Sequence, residues 1–260
     1  MHRSAILPAL LLVLLLPAAC AGRGGGQAVR QQPAAAGLTT LEPGDPLEPT
    51  NRRILDLNLR LDDAVIKPVA LGYRKGLGPW PRKRIRNVID NMREPRYLAN
   101  HLLQGRPLAA GETLMRFLIN STAGLGGMFD MAQFGGPPRQ PADFGQTLYT
   151  WGVADGPYLM WPIAGPSNPR DSVGFVADGF LNPLDWLVPF YSLVLRGVVD
   201  GVDTREQNIE TLEELRSGSL DFYARLRSVW RQRRDAELGR RTAEGQGLEV
   251  LEDPEAQGGR

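Results

Sequence analysis

Ile85-Arg86-Asn87-Val88-Ile89-Asp90-Asn91-Met92 sets its four apolar residues at i, i+3, i+4 and i+7. That spacing lines one face of an α-helix and no face of a strand. Working outward, Glu94-Pro95 predicts a stop and a fresh start, because the residue before proline is biased away from helical dihedrals. Gly105 then ends the second helix after Leu102 and Leu103. Upstream, Asp45-Pro46-Leu47-Glu48 has the order of a capping box on Asp45, with proline in the first helical position. Ile54, Leu57, Leu61 and Val65 carry that helix to Pro68.

The same period recurs downstream. Residues 112–119 read as a helix closing in Asn120-Ser121, and residues 171–181 as another with Val173, Val176, Ala177 and Phe180 on one side. Thr204-Arg205-Glu206-Gln207 resembles a second capping box, leading into Ile209, Leu212 and Leu215. A last helix carries Phe222, Tyr223, Leu226 and Trp230. Residues 147–163 differ: two aromatic-rich runs flank Asp155-Gly156, a pair that favours a tight turn. Gly152, Pro157 and Pro162 interrupt any regular ladder there, so the segment is expected to be irregular or hairpin-like, with some extended character. The fold class expected is mainly α, built of short elements, as 30 glycines and 21 prolines require.

The amino terminus sets the compartment. His2 and Arg3, an apolar run from Ala5, and Pro17-Ala18-Ala19-Cys20 follow the order of a secretory signal over residues 1–19. The run is too short to span a bilayer, which takes about 20 apolar residues. Cys20 is the one cysteine and reads as a lipidation site, although Pro17 stands where a lipobox usually has leucine. The other reading is a plain signal with an incidental cysteine, for which no second thiol exists to form a disulfide. Residues 20–44 read as an acylated cysteine and flexible tether, 45–235 as the folded domain, and 236–260 as a loose tail. Thirty basic and 29 acidic residues give no electrostatic case for a nucleic-acid partner.

Catalytic and metal-binding patterns are missing. Gly124-Leu125-Gly126-Gly127 lacks the lysine of a phosphate loop, and reads as a bend or a place of close backbone approach. His101 is the only histidine beyond the leader, so neither a zinc site nor a Ser-His-Asp triad can be assembled around a second one. No enzyme activity, metal or cofactor is expected. Arg82-Lys83-Arg84 with Arg86 reads equally as a contact for lipid phosphates or as a solvated helix face. Trp151, Tyr158, Trp161, Trp186 and Tyr191 are candidates for interfacial anchors or for core packing. The greasiest stretch of the expected mature chain, residues 184–195, is broken by Asp185 and Pro189, so membrane insertion would need several amphipathic pieces together.

Several spaced motifs then agree with one family. Asp45, Pro46, Leu47 and Glu48 followed by Asn51 and Arg52 open it; Pro49-Thr50 replaces its usual glycine and aromatic. Phe117-Leu118-Ile119-Asn120-Ser121-Thr122 runs into Gly124, Gly126, Gly127 and Asp130. Phe144-Gly145-Gln146-Thr147-Leu148, Trp151-Gly152-Val153, Gly156-Pro157-Tyr158, Gly165-Pro166-Ser167 and Arg170-Asp171 complete it. In these residues the chain resembles the VacJ/MlaA family. The resemblance implies a ring of short amphipathic helices in the periplasmic leaflet of the outer membrane, around a central polar channel. It implies a lipid-anchored protein on the periplasmic side that removes mislocalised phospholipid from the outer leaflet. Its partners would be the phospholipid, a trimeric porin and a soluble periplasmic carrier. Asp45, Pro46, Glu48, Asn51, Arg52, Asn120, Gly124, Gly126, Gly127, Asp130, Gly145, Gly156, Pro157, Gly165, Ser167, Arg170 and Asp171 become candidates for channel or hinge. The competing expectations are a structural lipoprotein linking membrane and porin, which would hold no lipid, and a lipid-cleaving enzyme, which would release fatty acid or headgroup.

Overall fold

The computed structural model describes residues 45–239. The expected signal, Cys20, the tether and nearly all of the tail lie outside the described residues. Helix α1 (Glu48–Leu61) passes through a π-turn (Asp62–Ile66) into α2 (Lys67–Gly76), and α3 (Pro79–Leu103) turns at Gly105 into α4 (Pro107–Thr122). A 3-10 turn (Met131–Gln133) precedes α5 (Phe144–Thr150). Strands β1 (Leu159–Trp161) and β2 (Gly165–Ser167) pair antiparallel with Met160 opposite Pro166. After them come α6 (Pro169–Leu181), a 3-10 turn (Pro183–Trp186), α7 (Phe190–Gln207), α8 (Ile209–Ser217) and α9 (Phe222–Glu237). The main packing runs α3 along α4, α5 along α6, and α2 against α7. The expected mainly helical class is what the chain adopts.

Four boundaries differ from the sequence reading. Pro95 neither stops nor restarts a helix; it sits inside the continuous α3. A mid-helix proline costs about 3 kcal/mol. Here Glu94, Tyr97, Asn100 and His101 are buried around it, so tertiary packing outweighs the lost backbone bond. The first helix likewise does not end at Pro68. The Lys67 N–H donates to the carbonyl of Asp62, five residues back, and this wider turn delivers the chain into a helix with proline in its first turn. Thr204-Arg205-Glu206-Gln207 closes α7 and caps nothing; Glu206 is buried, and accepts from Arg74 Nε at 2.8 Å and from Arg82. Finally, the hairpin turns at residues 162–164 instead of at Asp155-Gly156, and most of the first aromatic run is helical as α5. The Asp143 side chain caps that helix by accepting from the Gln146 N–H at 2.8 Å.

A modest apolar cluster holds one part of the fold. Leu55, Tyr158, Met160 and Tyr223 are its buried members, with Leu226 and Trp230 packed on it. The Tyr158 ring meets Tyr223 and Trp230 edge-on, at centroid distances of 5.9 and 5.5 Å.

Elsewhere polarity is inverted. On α6 the buried residues are Arg170, Gly174 and Asp178, while Val173, Phe175, Val176 and Phe180 face out. Leu187 and Phe190 are 80% and 78% exposed, beside exposed Trp186, Tyr191, Val194 and Leu195. A helix in water turns its apolar stripe inward, and an apolar patch of this extent marks a contact with protein or membrane. Among the described residues no helix is long and apolar enough to cross a membrane.

Candidate functional site

The family-motif residues gather into three polar nodes. The first forms where the chain enters α1. Asp45 is buried, and its Oδ1 accepts from the Leu47 N–H and from Asn51 Nδ2, both at 3.3 Å. Its Oδ2 accepts from the Tyr223 hydroxyl and, at 3.1 Å, from Arg227 of α9. The expected capping box is thus realised only in part: α1 starts at Glu48, with Pro46 exposed in the preceding turn. Glu48 accepts from Arg52 Nε at 2.8 Å instead of reaching back to Asp45. Asn51 spans to the hairpin, donating to the Tyr158 carbonyl at 3.0 Å and accepting from the Met160 N–H at 3.0 Å. Burial, and then the neighbouring Asp45, push the Tyr223 hydroxyl well above the ordinary tyrosine range.

The second node joins α3, α4 and the turn after it. Asn120 donates to Asp130 Oδ1 and accepts from the Ala132 N–H, both at 3.0 Å. Arg116 reaches Asp130 Oδ2 at 2.7 Å and Glu94 Oε1 at 3.2 Å. Burial raises the Glu94 carboxyl to about 7, against the pull of Arg116 and Arg139. The glycines between have separate reasons. A Cβ on Gly124 would stand 2.2 Å from the Phe129 carbonyl oxygen. One on Gly127, at φ +92°, would stand 2.5 Å from Asn91 Cβ. Gly126 has open space but a φ of +69°, which an L side chain rarely adopts. The close approach expected at this run is therefore present at two of the three glycines.

The third node lies under α5 and α6. A Cβ on Gly174 would stand 2.4 Å from the Gly145 nitrogen, so these two glycines let the helix backbones touch. Arg234 of α9 enters there, meeting Asp143 Oδ2 at 2.7 Å and Asp171 Oδ1 and Oδ2 at 2.8 Å. Burial works to raise the Asp143 carboxyl, yet Arg234 prevails and holds it below the usual carboxylate range. Arg170, buried, pairs with Asp155 and with Asp171 at 2.8 Å. Gly156 brings the loop against the Pro169 ring, Pro157 leads into buried Tyr158, and Gly165 holds φ +83° in the hairpin. Ser167 Oγ lies 3.1 Å from Ser172 Oγ.

Sequence reasoning missed Glu94, Arg116, Asp143, Tyr223, Arg227 and Arg234 as partners of the motif residues. One signal was available: Arg116 interrupts the run Leu114-Met115-Arg116-Phe117-Leu118, and a charge there has to find a partner. The basic cluster is largely occupied within the protein, Arg82 by Glu206 and Arg86 by Asp203 at 2.8 Å, while the Arg84 guanidinium lies over the Phe129 ring. Lys83 remains exposed. Of the aromatic candidates, Tyr158 is core, and Trp151, Trp161, Trp186 and Tyr191 are exposed. His101 is fully buried with Nε2 3.0 Å from the Gln140 carbonyl, and burial lowers its pKa. Among the described residues no group of histidine, cysteine and acidic side chains is arranged to hold a metal.

Comparison with known proteins places this arrangement. A family model described as MlaA lipoprotein matches residues 43–237. The chain is 35% identical over 228 residues to the intermembrane phospholipid transport system lipoprotein MlaA of Escherichia coli (strain K12), covering 86% of this chain and 88% of that one. It is 32% identical over 196 residues to the protein of the same name from Haemophilus influenzae, covering 74% and 78%. A solved structure presented as "Structural basis for maintenance of bacterial outer membrane lipid asymmetry" superposes with a TM-score of 0.68 at 34% identity. It covers 75% of this chain and all of that one.

Proposed function

The chain belongs to the MlaA lipoprotein family, and from that premise we propose that it clears mislocalised phospholipid from the outer leaflet of the outer membrane. It passes the lipid to a soluble periplasmic carrier, maintains lipid asymmetry, and leaves the lipid chemically unchanged. One observation carries the reading: the apolar faces of α6 and α7 point outward while arginines, aspartates and asparagines are buried. A protein that sits among acyl chains needs that polarity, and one that sits in water does not.

The physics of the task fits such a device. Drawing two acyl chains into water exposes roughly thirty methylenes at about 0.8 kcal/mol each, on the order of 25 kcal/mol. The headgroup needs a polar path in turn, because an unpaired charge in hydrocarbon costs several kcal/mol or more. A ring of helices in the periplasmic leaflet supplies both, apolar faces outward and polar faces around a central channel. Acyl chains on Cys20 hold the protein to the membrane from the periplasmic side, and a trimeric porin is its neighbour there. The sequence contains no nucleotide-binding loop, so the direction of movement comes from these partners.

The test is genetic and chemical together. Deleting the gene raises phospholipid exposed at the cell surface and weakens the barrier to detergents, and the full-length chain restores both. Unchanged surface phospholipid would leave a structural lipoprotein as the better reading, and hydrolysis of lipid by the purified protein would make it an enzyme.

A further inference from the structure

Outside the three polar nodes, one groove of about 690 Å3 runs between α4 and the turn that follows it. Its first wall is a single helical stripe, Glu112, Met115, Ile119 and Ala123, extending along about 16 Å of helix axis. Met131 and Phe134 form the facing wall. The turn stays narrow because Gly136 packs where a Cβ would stand 2.8 Å from the Ala132 carbonyl oxygen. Glu112 is the one charged side chain lining the groove, and it stands at the end of the stripe. Among the described residues its carboxylate accepts a hydrogen bond from the Gln140 amide and forms no ion pair.

We infer that this groove seats an acyl chain of a phospholipid whose headgroup carries an ammonium, and that the Glu112 carboxylate recognises that ammonium. The inference rests on the transport reading and gives it a lipid preference. Three features select this occupant. Flexible methionines conform to a chain of variable shape. An apolar floor ending in a single carboxylate matches an amphiphile with one apolar limb and a cationic tip. The same carboxylate repels a headgroup of net negative charge. An exposed carboxylate–ammonium contact of this kind shifts binding by about two- to five-fold.

The full chain, reconstituted into bilayers of equal phosphatidylethanolamine and phosphatidylglycerol, is photolabelled with probes of either headgroup bearing the same diazirine acyl chain. Labels are expected on residues 131–137 and on the groove stripe of α4, with the ethanolamine probe favoured about two- to five-fold. Glu112→Gln, an exposed position where folding is not at stake, brings the ratio to near one without lowering total labelling. Phe134→Gln lowers groove labelling by both probes alike. A ratio of one in the wild type, a ratio untouched by Glu112→Gln, or labels confined to α6 and α7 would overturn the inference. Should those results come from a protein whose deletion still raises surface phospholipid, the transport reading stands and only the groove falls.

Discussion

Glu94 sits in the second polar node with its Oε1 3.2 Å from Arg116 and its Oε2 without a hydrogen-bond partner. Burial raises its carboxyl from 4.5 to about 7, so near neutrality the group is poised between a charge that Arg116 favours and a proton that burial favours. A carboxyl with a folded pKa above its unfolded value takes up a proton on folding. Its stabilising contribution is therefore complete below about 4.5 and is lost as pH rises through about 7. The shift is worth on the order of 3 kcal/mol over that window. The expected outcome is a urea midpoint, measured in detergent solution, that falls from pH 5 to pH 8 in the wild type and falls much less in Glu94→Gln. Parallel pH profiles would show that the carboxyl is ionised throughout. Little of this was legible from the chain: Glu94 and Arg116 are 22 residues apart, and Glu94 read as part of a proline stop signal.

At the scale of elements, Asp45 joins three parts of the fold. Its carboxylate gathers Asn51 from α1 and both Tyr223 and Arg227 from α9, and Asn51 goes on to hold the hairpin at Tyr158 and Met160. Removing a buried acceptor shared by a guanidinium costs about 3–5 kcal/mol. Asp45→Ala should therefore lower the denaturation midpoint and open α9 to protease. Arg233→Ala should cost less than about 1 kcal/mol, because the Arg233–Glu237 pair lies on the surface of α9. Equal losses from the two substitutions would rule out the buried node as the joint. The stripes that predicted α3, α4, α6 and α9 were legible because a helical period survives whatever the helix packs against. The breaks were not. Pro95 is carried through by burial on either side, and Glu206 serves Arg74 and Arg82, partners over 120 residues away, instead of a cap. Asn51, Asn120, Asp130 and Asp171 were found by their agreement with a family pattern. Arg227 and Arg234 belong to the same nodes, but nothing local sets them apart from surface arginines; only Arg116 is marked, by the apolar run it interrupts.

For the molecule as a whole, a helical period names a stripe and is silent on which solvent the stripe faces. Val173, Val176 and Phe180 read as one side of α6, and that side lies outside. With Leu187, Phe190 and Val194 they form an apolar surface that water would penalise at about 25 cal/mol per Å2. If that surface is the membrane contact, it should bind bilayers without help from an anchor. The expected outcome is that Cys20→Ser, which cannot be acylated at residue 20, still floats with outer-membrane lipid vesicles on a density gradient. Adding Phe180→Asp, Leu187→Asp and Val194→Asp places three carboxylates at the contact, at about 2.5–3.5 kcal/mol each if they lie near the bilayer centre. Even a third of that sum moves the partition by more than tenfold. The triple variant should stay at the bottom of the gradient with an unchanged helical circular-dichroism spectrum, because all three side chains are exposed and support no core. A triple variant that still floats, with its fold intact, would move the membrane contact away from α6 and α7 and take the outward-facing belt out of the transport argument.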